Sequence, residues 1–143
     1  MELKQIEDII VKMKKLILAV DFDDTIVEIE KDYTPKTLIS GAKEVINWAH
    51  DNGCYIIIWT CRSGKMLDEA KVFLEKNKIM FDRINENCEE LDFETSRKIY
   101  YDILIDDKCL YKIDWKKFKK LIKDKLEVKI VEEVIENFKL KKR

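Results

Sequence analysis

The sequence predicts an α/β fold, a three-layer sandwich built on a Rossmann-like, mainly parallel sheet. Three observations support this prediction. Apolar runs at 16–20, 54–59 and 103–105 have the length and branched composition of strands that are buried on both faces. Stretches with helical periodicity separate these runs, and acidic or hydroxyl-bearing residues follow soon after each run. Helical crossovers between parallel strands would bring these strand ends to one edge of the sheet.

Length and composition favour one domain over 1–143. With 143 residues, 46% of them hydrophobic, the chain is long enough for one core and too short for two. We expect the core at about 16–123, with an N-terminal helix over 1–15 and a C-terminal helix over 126–143 as extensions.

Charge and cysteine content narrow the class of protein. The 28 basic and 29 acidic residues nearly cancel, so no overall field favours nucleic acid or an anionic membrane. Four cysteines without Cys-x-x-Cys spacing and one histidine make a poor zinc set. No apolar run approaches the length of a membrane span, and no signal-peptide core is present. We therefore expect a cytoplasmic protein that does not bind membranes.

The first half of the chain predicts a helix, a strand, a flap and a second helix. Apolar residues recur at helical spacing within 1–15, and the first buried strand follows at 16–20. Alternation at 26–30 and turn residues at 31–35 indicate a short hairpin, or flap, beside the strand end. The next helix should start near Ser40 and stop at the Asn52-Gly53 pair.

The second half repeats the strand and helix pattern. After the strand at 54–59 we expect a helix over about 65–77 and a weak strand at 81–85. Residues 88–98 resemble a loop with a short helix, and a further strand precedes Asp106. Asp114 is a plausible N-cap for a helix over 115–123, which is followed by the separate C-terminal helix.

The strand ends carry the residues suited to chemistry. Asp21 and Asp23 follow the first strand, and side chains at i and i+2 lie on the same face, so the two carboxylates can converge. Hard oxygen ligands of this kind suit Mg²⁺. Thr60 and Arg62 follow the second strand, and an acidic pair follows the last.

Together these features resemble the haloacid dehalogenase-like superfamily of phosphohydrolases. Its first motif, a strand followed by Asp-x-Asp-x-Thr, is matched by 21–25, and its second, a strand ending in Thr or Ser, by Thr60. The third, a basic residue before the last strand, is best matched by Lys98, with Lys65 and Arg97 as alternatives. The fourth, a strand ending in an acidic pair, is matched by Asp106-Asp107.

The resemblance covers about 16–123 and looks like a small subgroup that lacks a cap domain. One departure is Asp24, where Gly is common in the family. This extra carboxylate either strengthens cation binding or faces solvent. The spacing leaves room only for a flap and a helix before Cys54, which predicts a haloacid dehalogenase-like fold without a cap.

The resemblance implies a Mg²⁺-dependent phosphomonoester hydrolase that acts through an aspartyl-phosphate. Asp21 would be the nucleophile and Asp23 the general acid and base. Thr60 and Lys98 would hold the phosphoryl group, and Arg62 would reach a second anionic part of the substrate. The implied metal ligands are Asp21, the backbone carbonyl of Asp23, and Asp106 or Asp107.

Several substrates and one non-enzymatic function stay open on the sequence. By this resemblance, a capless site suits a bulky substrate such as a nucleic-acid end or a phosphoprotein, or a phosphorylated small molecule or nucleotide that a neighbouring subunit of a homo-oligomer covers. The strand at 102–107 also resembles the last motif of the 5′(3′)-deoxyribonucleotidases, and a polynucleotide 3′-phosphatase is a further alternative. The alternative outside the enzymes is a phosphate-binding or interaction protein that has lost turnover.

Overall fold

A computed structural model describes residues 1–110 and 112–142. The elements in chain order are α1 (Leu3–Lys12), β1 (Ile17–Val20), β2 (Val27–Ile29), β3 (Pro35–Leu38), α2 (Ala42–Asp51), β4 (Tyr55–Ile58), α3 (Gly64–Lys76), β5 (Arg83–Ile84), β6 (Ile103–Ile105) and α4 (Trp115–Lys141).

The main sheet has four parallel strands in the order β5-β4-β1-β6. Val20 at the end of β1 is in register with Ile58 of β4 and with Ile105 of β6. The residues that follow these strands therefore emerge at one edge of the sheet. β2 and β3 pair antiparallel beside this edge and form the flap.

The two faces of the sheet are covered differently. One face packs against α2, α3 and α4, with side chains such as Val20, Ile46 and Leu74 fully buried between the layers. The other face is covered by irregular chain over 86–102, from which Cys88 and Ile99 pack against the central strands. Every residue of β1 and β4 is buried, which explains their unbroken apolar runs.

The predicted α/β fold with a parallel sheet, a flap and no cap is confirmed. The short helix expected within 88–98 is wrong, because these residues form turns and bends. The side chain of Asn87 explains the difference, since it donates to Thr95 Oγ1 at 2.6 Å and accepts from the Tyr100 N–H at 2.8 Å. Such side-chain hydrogen bonds compete with the helical pattern.

The two helices expected after Asp114 are also wrong, because α4 is continuous. Good helix formers such as Lys125, Leu126 and Glu127 join the two predicted parts, and no Gly or Pro interrupts them. The first half of α4 buries Trp115 and Ile122, and α1 packs against α4 as well.

Within 1–110 and 112–142, no helix combines the length and the apolar composition needed to cross a membrane.

Trp115 connects α4 to the loop that follows β1. Its indole Nε1 donates to the carbonyl oxygen of Thr25 at 3.0 Å, and both residues are buried. Gly41, at the N-cap of α2, has φ of +87° and packs against Trp115. A Cβ on Gly41 would lie 3.0 Å from the Cβ of Trp115.

We predict that Gly41→Ala lowers the free energy of unfolding by about 2–4 kcal/mol, from left-handed strain and overpacking together. Gly53→Ala is the matched control, because Gly53 has the same φ of +87° with nothing within 4 Å of the added Cβ. It should cost only about 1–2 kcal/mol. Urea denaturation measures both variants, and equal losses would show that the Trp115 contact is unimportant.

Candidate functional site

Three carboxylates meet at the edge of the sheet. Asp21 follows β1, and Asp106 and Asp107 follow β6, the neighbouring strand. The backbone N–H of Asp21 donates to the Ile105 carbonyl at 2.9 Å, which continues the pairing of the two strands to this point. One oxygen from each carboxylate lies within 4.8 Å of the others. We call Asp21, Asp106 and Asp107 the acidic triad.

The Thr25 side chain connects Asp21 with Asp107 through hydrogen bonds. Its buried hydroxyl donates to Asp21 Oδ2 at 3.1 Å and accepts from the backbone N–H of Asp107 at 2.9 Å. One side chain therefore fixes the end of β1 against the end of β6. The Thr of the Asp-x-Asp-x-Thr motif was visible in the sequence, but its structural role was not predicted.

Asp24 lies outside the triad. It is exposed, its φ is +57°, and its N–H donates to the Val27 carbonyl at 2.8 Å in the turn that leads to the flap. Asp tolerates this left-handed conformation better than most residues other than Gly. The backbone geometry therefore accounts for a position where the resembling family often has Gly, and it favours the interpretation that Asp24 faces solvent.

The environment of Asp21 favours its neutral form. The pKa of Asp21 is raised to about 7, first by burial and then by the negative charge of Asp106 and the hydrogen bond with Asp107. The hydrogen bond from Thr25 acts in the opposite direction. Two or three carboxylates this close repel one another unless a proton or a cation lies between them.

The triad has the donor set of a site for a hard divalent cation. Carboxylate oxygens from two adjacent strand ends match the small number of protein ligands that Mg²⁺ takes, the rest being water or substrate oxygen. The carboxylate of Asp23 is not part of this group. The expected contribution of Asp23 to metal binding was through its backbone carbonyl and stays a prediction.

Asp23 and Arg62 form a pair at the flap side of the site. Arg62 Nε lies 3.1 and 3.0 Å from the two carboxylate oxygens of Asp23, and Nη2 lies 2.6 Å from Oδ1. The Arg62 side chain is only 2% exposed. Nη2 also donates to the Tyr33 carbonyl oxygen, and Nη1 donates to the Met66 carbonyl oxygen and lies 4.0 Å from Glu69 Oε2. Because the buried guanidinium already has these protein partners, its geometry does not favour the expected contact with an anionic part of a substrate.

Thr60 is held by a residue that the sequence did not single out. Asn85, at the end of β5 with φ of +55°, accepts from the Thr60 N–H at 2.9 Å and donates to the Thr60 carbonyl at 3.0 Å. The Thr60 hydroxyl oxygen accepts from the Arg62 N–H at 3.2 Å, which leaves its hydrogen to donate elsewhere. Asn at the end of a weak strand was the only sequence signal for this clamp.

Lys98 lies in the irregular chain over 86–102, and its side chain is exposed. Its ammonium lies over the ring of Tyr101, 5.5 Å from the centroid. Among the described residues it forms no ion pair with the triad. The alternatives Arg97 and Lys65 are exposed, and Lys65 is at the start of α3. The third-motif role stays a prediction for Lys98.

Comparison with known proteins relates this chain to one protein of known structure. No known family profile and no curated protein matches the sequence. One similar solved structure is that of a conserved protein from Bacteroides thetaiotaomicron, with a TM-score of 0.69 and 32% sequence identity. The match covers 78% of this chain and 93% of the Bacteroides chain.

This chain belongs to the same family as the Bacteroides protein. The relation agrees with the small α/β fold without a cap domain. The description of the Bacteroides protein names no ligand or reaction, so the function must be argued from the site itself.

We predict that Asp21→Asn stabilises the metal-free chain at pH 7.5 by about 1–2 kcal/mol, a value reduced for the partial exposure of Asp21. Between pH 4 and 7 the folded chain keeps a proton on Asp21 that the unfolded chain has lost, so stability falls as pH rises through this range. Urea denaturation in EDTA at pH 7.5 and at pH 3.5 measures the effect. Asp24→Asn is the control, and a gain from Asp21→Asn that is equal at both pH values would contradict the assigned cause.

Proposed function

We propose that this protein is a Mg²⁺-dependent phosphomonoester hydrolase of the haloacid dehalogenase-like superfamily. The observation that carries the proposal is the acidic triad at the carboxyl ends of adjacent parallel strands, in which the pKa of Asp21 is raised to about 7 by burial and by the charge of Asp106. The ends of such strands are where open α/β sheets bind ligands. The motif order from Asp21 to Asp107 supports the same assignment.

Bound Mg²⁺ would offset most of the charge of the triad and reduce the repulsion between Asp21 and a phosphoryl group. With that repulsion reduced, an Asp21 carboxylate oxygen can attack phosphorus in line with the ester oxygen that leaves. The new bond is an acyl phosphate on Asp21. The half-buried position of Asp21 limits the water that would otherwise solvate the nucleophile.

Asp23 supplies the proton chemistry in this proposal. In the first step the protonated form of Asp23 donates its proton to the leaving oxygen, and in the second the resulting carboxylate removes a proton from the water that attacks phosphorus. The second step releases phosphate and restores the Asp21 carboxylate. Asp23 is separated from the triad and paired with Arg62, so the two acids of the motif occupy different electrostatic environments.

Thr60 and Lys98 are the proposed phosphate ligands. Within 1–110 and 112–142 the Thr60 hydroxyl donates no hydrogen bond, and Thr60 follows β4, the strand next to β1. Lys98 would have to turn from Tyr101 toward the site when a substrate binds. The site carries no cap domain, which suits a nucleic-acid end, or a phosphorylated small molecule or nucleotide that a neighbouring subunit covers.

A nucleotide-directed phosphatase is the alternative suggested by the resemblance of the strand at 102–107 to the last motif of the 5′(3′)-deoxyribonucleotidases. Asp102 accepts from the Ile17 N–H at 2.7 Å, at the start of the strands and at the opposite end of β6 from the triad. Its role there is to hold strands together. A panel of nucleoside monophosphates and a 3′-phosphorylated oligonucleotide separates the substrate classes.

We predict that the purified protein releases phosphate from an aryl phosphate with Mg²⁺ and loses this activity in EDTA. Asp21→Asn should lower kcat by roughly 10³-fold or more, because it removes the nucleophile. Asp24→Asn is the matched control, since Asn tolerates the same backbone conformation and Asp24 lies outside the triad; it should stay active. Binding of Mg²⁺ and a phosphate mimic without turnover of any substrate in a broad panel would contradict the proposal.

A further inference from the structure

We propose that Arg62 is a positioning residue that acts through Asp23, holding the carboxylate of Asp23 beside the flap in the orientation that proton transfer requires. This inference rests on the proposed function, in which Asp23 is the general acid and base. It assigns to Arg62 a role different from the substrate contact that the sequence predicts.

The contact between the two side chains restricts both oxygens of Asp23. Arg62 Nε lies 3.1 Å from Oδ1 and 3.0 Å from Oδ2, and Nη2 lies 2.6 Å from Oδ1. A planar guanidinium with N–H groups in a fixed fork defines both the position and the plane of a carboxylate. A lysine could supply the charge but not the fork.

Arg62 is itself fixed by three segments of the chain. Nη2 donates to the Tyr33 carbonyl in the flap, and Nη1 donates to the Met66 carbonyl in α3 at 3.1 Å. The guanidinium carbon lies 5.0 Å from the ring centroid of Phe22, a fully buried residue next to Asp23. The orientation of Asp23 is therefore set by the flap, α3 and the end of β1 together.

The burial of Arg62 separates positioning from direct binding. Its side chain is 2% exposed, whereas that of Asp23 is 24% exposed, so a ligand can reach the carboxylate but not the guanidinium. The triad includes neither Arg62 nor Asp23. Loss of Arg62 should therefore impair catalysis by Asp23 and leave cation binding intact.

A double-mutant cycle tests this inference. With an aryl phosphate and saturating Mg²⁺, we expect Arg62→Met to lower kcat by about 10²-fold, since a misplaced catalytic group loses roughly that much, with KM changed less than about threefold. Asp23→Asn should lower kcat at least as much. The double variant Arg62→Met/Asp23→Asn should match Asp23→Asn within about twofold, because Arg62 then has no acid left to position.

Two further variants keep the test sharp. Arg62→Met leaves Asp23 without its partner and could unfold the chain, so Arg62→Lys, which keeps the charge, serves as the second variant and should also lower kcat more than KM. Lys14→Met, which removes a cation of an exposed ion pair before β1, is the control and should be additive with Asp23→Asn. Mg²⁺ affinity, measured by calorimetry, should stay within about twofold of wild type in Arg62→Met, Asp23→Asn, their double variant and Arg62→Lys, because none of these changes removes a carboxylate of the triad.

Losses in kcat that multiply in the double variant would overturn the inference, as would a rise in KM without a fall in kcat. Equal activity of Arg62→Met and wild type would also overturn it. An active wild type with such results contradicts only the role of Arg62. A wild type that binds Mg²⁺ but turns over no phosphomonoester contradicts the proposed function and this inference together.

Discussion

Like-charge repulsion among Asp21, Asp106 and Asp107 is the constraint on which the rest of the site depends. The parallel pairing of β1 with β6 places these carboxylates together, and burial removes much of the water that would screen them. When no cation is present, the raised pKa of Asp21 favours its neutral form, which reduces this repulsion. A divalent cation would reduce the same repulsion, so metal binding and the stability of the site are linked.

The surrounding residues divide the strand-end acids between two environments. Thr25 and, through it, Trp115 hold the triad against the core, so the proposed cation site is supported by the sheet and by α4. Asp23, only two residues along, faces Arg62, which is anchored to the flap and α3. In the proposed mechanism the nucleophile Asp21 belongs to the group that would hold the cation, and the acid/base residue Asp23 has its carboxylate outside that group.

The strands and the acids that follow them could be predicted from the sequence because both depend on local patterns. Unbroken apolar runs mark strands buried on two faces, and parallel register then brings the residues after them together. The pair of Asp23 with Arg62 and the Asn85 clamp on Thr60 were not predicted, since each joins residues 25 or more positions apart whose side-chain directions are set by tertiary packing. The irregular layer over 86–102 was misread because side-chain hydrogen bonds from Asn87 outweigh local helical preference there.

The central claim is that Asp21 becomes covalently phosphorylated, and reductive trapping tests it most directly. Protein mixed with Mg²⁺ and an aryl phosphate is quenched during turnover and treated with borohydride, which reduces an acyl phosphate to an alcohol and converts that aspartate to homoserine. Peptide mass spectrometry should find homoserine at position 21 only. Phosphate release without any modified aspartate, or with the modification at Asp23, Asp106 or Asp107 instead, would contradict the account.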